Sequence, residues 1–268
     1  MDPAHRYVIR GGAQGRERLR LLSTVMGAHS RALLEAAGVR RGDRCVDIGC
    51  GGGDVAFELA EIVGADGSVL GVDLDETKLD LARAEAAQRG QANITFEAGN
   101  VLEWTPDGDF DVAYARFLLA HLPAPGDLLR KLRRHIRPGG LMVIEDVDFR
   151  GHFAEPPCPA LDRYVSLYSD SLRRRGGDPD IGPRLPALLR DAGFQDVQVR
   201  MHQPIAMTGG IKSLTGMTFA FVADALRADG VPESELAAIG RQLTDFLDDP
   251  RTVHGGPRVI QCWGCAPH

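Results

Sequence analysis

The stretch that decides the fold of this chain is Val46-Asp47-Ile48-Gly49-Cys50-Gly51-Gly52-Gly53-Asp54. A β-branched run stops at a cluster of glycines, and an apolar helical pattern begins directly after it, which is typical of strand, tight turn and helix. Glycines let the backbone turn with positive φ and leave no side chain between the backbone and a ligand. The free N–H groups of the following helix point back at the turn. The pattern therefore predicts a site for a nucleotide-like molecule at this turn.

Acidic residues around the turn decide which nucleotide it suits. A dinucleotide site requires Gly-x-Gly-x-x-Gly, and Gly49 and Gly51 fit this pattern, but Asp54 stands at its third position. Asp47 lies two residues ahead of Gly49. A carboxylate there would repel a pyrophosphate and attract an ammonium or sulfonium group. These charges argue against a nicotinamide dinucleotide and the oxidoreductase activity that it would imply.

Strands and helices alternate along most of the chain. Strands are predicted near residues 44–48, 68–74, 93–97, 109–115 and 141–147, with helices between them. The fourth helix is predicted to run through Leu128, Leu129, Leu132 and Ile136, and Pro138-Gly139-Gly140 is predicted to end it. Such alternation implies right-handed crossovers and a parallel sheet covered on both faces. We therefore predict a doubly wound α/β fold.

Three motifs, in this order and at this spacing, resemble those of class I S-adenosylmethionine-dependent methyltransferases. The first is residues 46–53, the second is Asp73 within Gly71-Val72-Asp73-Leu74-Asp75, and the third is Arg137-Pro138-Gly139-Gly140. The resemblance covers roughly residues 40–200. It implies a Rossmann-like fold with a seven-stranded, mostly parallel sheet, and S-adenosylmethionine as the cofactor.

The resemblance also implies roles for individual residues. Asp73 would accept the ribose hydroxyls, because a carboxylate suits a diol. Asn100 stands where the family usually has an acidic residue, and its amide carbonyl would accept a bond from the adenine amino group. Arg116 would line the methionine part through its backbone. Tyr7 and Arg18 would close over the cofactor, with Arg18 pairing its carboxylate; a structural role is the alternative for both. The predicted cofactor-binding set is Tyr7, Arg18, Asp47, Gly49, Gly51, Asp73, Leu74, Asn100, Val101 and Arg116.

Two histidines are predicted as catalytic bases. Methyl transfer requires alignment of donor and acceptor, and an oxygen acceptor also needs a base that is active near neutral pH. His121 follows the fourth strand, and His152 follows the fifth strand beside Asp146 and Asp148. His202 and His254 are secondary candidates. A capping or packing role before Leu122 is the alternative for His121. Tyr164 and Tyr168 share a helical face and are predicted to belong to the core, with pocket lining as the alternative.

The chain is predicted to have four parts. These are an N-terminal helical cap (1–39), a cofactor-binding core (40–204) with a helical insertion (150–184), a helical lid (205–257) and the last strand of the core (258–268). The lid helices are apolar on one face, which favours a small, partly apolar acceptor. This resembles the caps of ubiquinone/menaquinone-type and secondary-metabolite methyltransferases. The same faces would suit a homodimer contact.

Composition limits the remaining possibilities. The net charge of −6 argues against a nucleic-acid partner, and so against an RNA methyltransferase. No apolar run is long enough to span a bilayer, and the five cysteines do not form a disulfide framework, so a cytoplasmic location is predicted. Cys262 and Cys265 lack a second ligand pair, so no metal site is predicted and a packed strand is preferred. The alternative function is a non-methylating reaction, such as a cyclisation, that retains the cofactor site.

Overall fold

The computed structural model describes residues 12–268, with side chains from residue 15 onward. The helices are α1 (Gly12–Ala37), α2 (Asp54–Val63), α3 (Glu76–Arg89), α4 (Pro125–Arg133), α5 (Pro159–Arg174), α6 (Leu185–Asp191), α7 (Gly210–Ala228) and α8 (Glu233–Asp248). The strands are β1 (Arg44–Ile48), β2 (Ser68–Asp73), β3 (Ile94–Ala98), β4 (Phe110–Arg116), β5 (Ile136–Asp148), β6 (Phe153–Glu155), β7 (Gln195–His202), β8 (Ile205–Ala206), β9 (Val253–Gly255) and β10 (Arg258–Cys265).

A seven-stranded sheet has the order β3-β2-β1-β4-β5-β10-β7. The first five of these strands are parallel, whereas β10 is inserted antiparallel between β5 and β7. The strand–turn–helix predicted around the glycines is confirmed, since β1 ends at Ile48 and α2 begins at Asp54. The doubly wound, mostly parallel α/β fold is confirmed as well.

Apolar clusters cover both faces of this sheet, as a doubly wound fold requires. One face packs on α1 and α2 through residues such as Cys45, Val112 and Val143. The other packs on α4, α5 and α6 through the residues that alternate with them, including Val46, Ala113 and Ile144. The apolar face of α8 and the C-terminal part of α7 are buried in this second cluster, whereas Ile211 and Leu214 of α7 pack against α1 in a third. Among the described residues, no helix is both long and apolar enough to cross a membrane.

The predicted end of the fourth helix is wrong. Helix α4 ends at Arg133, and Ile136 begins β5, where it pairs with Phe110. The next ladder pair is Val112 with Leu141, so the Pro138-Gly139-Gly140 segment forms a bulge inside the strand. Gly140 fits there because a Cβ atom would lie 2.7 Å from the carbonyl oxygen of Asp111. The proline and glycines that suggested a helix stop therefore mark a strand irregularity instead.

A second, three-stranded sheet was not predicted. Its order is β6-β9-β8, and its strands come from the segments predicted to be a helical insertion and a helical lid. These strands are two or three residues long, which is too short for a hydrophobic period to be recognised. The sheet joins distant parts of the chain, since Ala154 pairs with His254, 100 positions later, and His254 also pairs with Ala206, 48 positions before it.

Candidate functional site

A cavity of about 630 Å³ lies at the carboxyl ends of the parallel strands, where open α/β sheets bind ligands. We divide its wall into two parts. The turn half surrounds the glycine turn and consists of Asp47, Gly49, Gly51, Asp73, Asn100 and Arg116. The lid half lies under the added helices and consists of His121, Asp146, Phe149, His152, Tyr164, Tyr168 and Thr215. Nine of the ten residues predicted to bind the cofactor are described, and only Tyr7 lies outside the described residues.

The glycine turn is fixed by a carboxylate from the neighbouring strand. Asp73, at the end of β2, accepts the N–H of Gly51 at 2.8 Å and the N–H of Asp75 at 2.9 Å, one on each carboxylate oxygen. Gly51 has a φ of 57°, and a Cβ atom there would lie 2.8 Å from Leu19 of α1. The turn thus needs glycine both for its backbone angle and for the close approach of α1. A carboxylate with both oxygens oriented in this way still has lone pairs for a ligand diol.

Asp47 is the most strongly perturbed carboxyl group of the turn half. Its side chain is almost fully buried, with 2% of the residue exposed. Burial raises the pKa of Asp47 to about 7; Arg116 opposes this shift, and the charges of Asp73 and Asp54 add to it. A bound cation would favour the charged form of Asp47 and so compensate for its burial.

Arg116 is the last residue of β4 and lines the turn half. Its guanidinium donates to Ser30 Oγ of α1 at 3.0 Å. Burial lowers the pKa of Arg116, but the surrounding acidic groups, Tyr114 and Glu145 first among them, raise it above its ordinary value. The Glu145 carboxylate accepts the hydroxyl of Tyr114 and the amide of Gln261. The sequence predicted this arginine to act through its backbone; in the structure its charged side chain also ties the turn half to α1.

Helix α1 closes over the turn half. Arg16 donates to Asp54 Oδ2 at 2.6 Å and to Glu85 Oε2 at 3.0 Å, so it links the starts of α1 and α2 to α3. A Cβ atom on Gly52 would lie 2.3 Å from the Arg16 side chain. Arg18 lines the cavity and donates from Nε to Thr218 Oγ1 of α7 at 3.0 Å. The segment predicted to close over a cofactor therefore also contacts the lid helices.

Three further residues predicted to bind the cofactor, Leu74, Asn100 and Val101, also line the cavity. Leu74 is 51% exposed at the rim, and Val101 is buried in the wall. The side-chain oxygen of Asn100 accepts the N–H of Leu102 at 3.1 Å. Because an amide oxygen has two lone pairs, one remains for a ligand donor.

His152 of the lid half has a defined protonation pattern. Its Nδ1 lies 2.8 Å from the carbonyl oxygen of Phe149. A carbonyl can only accept, so Nδ1 carries the hydrogen and Nε2 carries the lone pair. Burial lowers the pKa of His152 to about 4; the bond to Phe149 opposes this shift, and the nearby His254 adds to it. The ring is therefore neutral at pH 7, with one hydrogen-bond-accepting nitrogen.

His121 occupies another part of the same wall. It ends the short 3-10 turn Leu119–His121 after β4, and burial lowers its pKa to about 4, with a further contribution from the charge of Arg18. Asp146 holds this turn in place by accepting the N–H of Ala120 at 3.1 Å. Burial raises the pKa of Asp146 to about 7. The sequence placed both histidines near one edge of the sheet, and the structure brings both into one cavity.

Aromatic rings and a buried hydrogen-bonded pair complete the lid half. The rings of Tyr164 and Tyr168 stack with centroids 6.1 Å apart, and Phe149 lies 5.1 Å from Tyr168. Thr215 on α7 lies 2.9 Å from the Nε2 atom of His254. Sequence reasoning gave no role to Asp146 or Thr215 and only a minor one to His254. Only the alternation of β5 could have indicated Asp146, and no local signal marks the other two.

Comparison with known proteins gives a consistent family. The family model described as "Methyltransferase domain" matches residues 40–169. A ubiquinone/menaquinone biosynthesis C-methyltransferase from Ectopseudomonas mendocina is 32% identical over 205 residues, which span 69% of this chain and 75% of that protein. A probable methyltransferase, ltbC, from Aspergillus luteorubrus is 31% identical over 191 residues, which span 65% of each chain.

Solved structures show the same fold. A methyltransferase-like protein from Bacillus halodurans superimposes with a TM-score of 0.57 at 18% identity, covering 88% of this chain and 98% of that one. A Haemonchus contortus phosphoethanolamine N-methyltransferase, in complex with S-adenosylhomocysteine, gives 0.55 at 20% identity, covering 88% and 52%. The cyclase SpnF gives 0.53 at 18% identity, covering 88% and 80%. At these identities the likeness concerns the fold alone, so the match to a cyclase does not favour the cyclisation alternative.

Proposed function

This chain belongs to the class I S-adenosylmethionine-dependent methyltransferases, and we propose that it methylates a small, partly apolar acceptor that carries an acidic hydroxyl group. The observation that carries the proposal is the lid half: a largely apolar, aromatic chamber joined to the turn half, with a neutral histidine nitrogen in its wall. The chain is similar to a protein named for ubiquinone and menaquinone biosynthesis. Quinone-like or related secondary metabolites are therefore the first acceptors to test.

The residues of the turn half fit the cofactor chemically. S-adenosylmethionine carries a sulfonium and an ammonium group, and the wall holds the buried Asp47 together with Asp73. A ribose diol suits the two oriented oxygens of Asp73. The cofactor's carboxylate needs a cation, and Arg18 and Arg116 both line the cavity. We assign Asn100 to the adenine amino group, through the lone pair that Leu102 leaves open.

The protein's share of the reaction is alignment, exclusion of water and proton transfer. When bound, S-adenosylmethionine supplies a methyl group activated by a positively charged sulfur. Phe149, Tyr164 and Tyr168 would hold a flat apolar acceptor and keep water out. Nε2 of His152 would accept the acceptor's hydroxyl hydrogen. Because the low pKa of His152 keeps the ring neutral at pH 7, this nitrogen is available without prior deprotonation.

The test has two stages. Calorimetry first measures binding of S-adenosylmethionine and of S-adenosylhomocysteine, and we expect both to bind. Naphthols and naphthohydroquinones are then offered with S-adenosylmethionine, and S-adenosylhomocysteine formation is followed by mass spectrometry. Methylated product in step with S-adenosylhomocysteine supports the proposal, whereas binding without turnover of any phenolic ring would contradict the acceptor class. A cytoplasmic location and a homodimer stay predictions.

A further inference from the structure

Thr215 and His254 form a buried pair that the proposed reaction does not use. Thr215 lines the lid half and is 5% exposed, while His254 lies behind it and is fully buried. The threonine hydroxyl is 2.9 Å from His254 Nε2, and His254 Nδ1 is 3.3 Å from the carbonyl oxygen of Phe153. The unpredicted small sheet holds this histidine, because His254 is the middle residue of its central strand, β9.

The direction of these hydrogen bonds follows from their chemistry. The carbonyl of Phe153 can only accept, so Nδ1 of a neutral His254 carries the hydrogen and Nε2 carries the lone pair. Thr215 must then donate its hydroxyl hydrogen to Nε2. A threonine has one such hydrogen. Towards a molecule in the cavity, Thr215 can consequently only accept a hydrogen bond.

The neighbours of His254 keep it neutral. Lys212 on α7 and His152 after β5 are the titratable groups that act on it, and a positive charge on either opposes a second one on His254. Burial lowers the pKa of His254 to about 4, and the bond to the Phe153 carbonyl compensates only in part. Thr215 itself and the Phe153 carbonyl complete the ring's polar surroundings. The donor and acceptor roles are therefore set at neutral pH.

His152 presents a second acceptor to the same chamber. Its ring lies 6.1 Å from that of His254, at an interplanar angle of 20°, and the hydrogen of its Nδ1 is held by the Phe149 carbonyl. The two side chains thus use the same device. In each case a backbone carbonyl accepts the Nδ1 hydrogen of a histidine. The hydrogen-bond acceptor left for the cavity is Nε2 in His152 and, by way of His254, the hydroxyl oxygen of Thr215.

We propose that Thr215, whose hydroxyl hydrogen is held by His254, determines substrate specificity. It selects methyl-accepting substrates that carry a second hydrogen-bond donor in addition to the hydroxyl group that donates to His152. This inference rests on the proposed function. The second donor would be a hydroxyl or an N–H group. A carbonyl or ether oxygen at that point would face the lone pairs of Thr215 and leave a buried acceptor unpaired.

The experiment compares diols with their own ethers. Dihydroxynaphthalene isomers and the monomethyl ether of each are titrated into the protein with bound S-adenosylhomocysteine. For the best-binding isomer we expect the diol to bind roughly tenfold more tightly than the ether, as expected for one lost hydrogen bond at a buried acceptor. In Thr215→Val the ratio should fall to near one, and in the matched Thr215→Ser variant it should be kept. The inference is overturned if no isomer binds better than its ether, or if Thr215→Val keeps the ratio.

A second measurement needs no acceptor. Nitrogen-15 NMR of histidine-labelled protein at pH 7 reports which ring nitrogen of His254 is protonated, and Thr215→Val assigns the signal that depends on the hydroxyl. We expect hydrogen on Nδ1 and none on Nε2. A hydrogen on Nε2 would overturn the inference, since Thr215 would then be free to donate to the cavity. Calorimetry with S-adenosylhomocysteine separates the two proposals. If S-adenosylhomocysteine does not bind, the proposed function fails. If it binds but the diol and its ether bind equally well, only this inference fails.

Discussion

The turn half and the lid half share one cavity but are built by different means. In the turn half, residues at the ends of neighbouring parallel strands hold each other through backbone N–H groups, as Asp73 holds Gly51. In the lid half, His152 and Thr215 come from distant segments, and His254 of the small sheet supports Thr215 from behind. The first half is rich in carboxylates, and the second presents neutral rings. The site proposed for the cofactor is thus built from charged residues on neighbouring strands. The site proposed for the methyl acceptor depends instead on contacts between distant parts of the chain.

The largest expected effect comes from the lid half. His152→Ala should lower kcat by about 10²-fold or more, because the acceptor's proton loses its base. The dissociation constant of S-adenosylmethionine should hardly change, since His152 lies outside the turn half. Steady-state kinetics and calorimetry measure the two quantities. His121→Ala is the matched variant. A greater loss of kcat in His121→Ala than in His152→Ala would show that His121, and not His152, is the base.

The next effect belongs to the turn half. Asp73→Ala removes the carboxylate assigned to the ribose and the acceptor of the Gly51 N–H group. Loss of such hydrogen bonds costs about 1–3 kcal/mol, so the dissociation constant of S-adenosylmethionine should rise by roughly 5- to 150-fold. Asp80→Ala, on the exposed side of α3, is the control and should leave binding unchanged. Equal calorimetric affinities for Asp73→Ala and the control would reject the ribose role.

The pH dependence of cofactor binding should report on Asp47 in the turn half. Burial raises the pKa of Asp47 to about 7, so a bound cation, which favours the charged form, loses affinity as the pH falls below 7. S-adenosylmethionine should bind about tenfold more weakly at pH 6 than at pH 8. His152 protonates only near pH 4, so it adds nothing in this range. Asp47→Asn should flatten the profile, and a slope that survives this change would point to another group, such as Asp146.

The smallest effect compares two glycines. Gly52→Ala places a methyl group 2.3 Å from Arg16 and should disturb the ion pairs that hold α1 over the turn half. We expect a loss of about 1–2 kcal/mol and a Tm lower by several degrees. Gly216→Ala, inside α7, meets only an ordinary contact at 3.4 Å and should raise stability by about 0.5–1 kcal/mol. Thermal denaturation measures both, and a stabilising Gly52→Ala would show that α1 packs less closely there.

The sequence sufficed for the elements that depend on local pattern. Residues 46–54 predicted the strand, turn and helix that the structure shows. Ile136 was assigned to a helix because its apolar spacing suited one, whereas its actual partner, Phe110, lies 26 residues earlier in the chain and pairs with it next to a bulge. Proline and glycine mark an interruption without telling which element is interrupted.

The lid half could be predicted only in part for the same reason. His121 and His152 follow strands, so the fold brings them to the cavity edge. Thr215 and His254 meet because β9 pairs with β6 and β8, and strands of two or three residues leave no periodic signal. The direction of their hydrogen bond depends on the Phe153 carbonyl, which no side-chain pattern reveals.

The place of β10 in the sheet has a consequence for synthesis on the ribosome. Strands β1 to β5 follow one another along the chain and can pair as they emerge. Strand β7 cannot join them, because β10 lies between it and β5 and is made more than 50 residues later. Until residues 258–265 appear, both β5 and β7 have an unpaired edge on the side that β10 will occupy. The nascent protein can therefore pair the strands around the turn half early, while the β5 edge stays open, and exposed to wrong pairing, until the last strand is made.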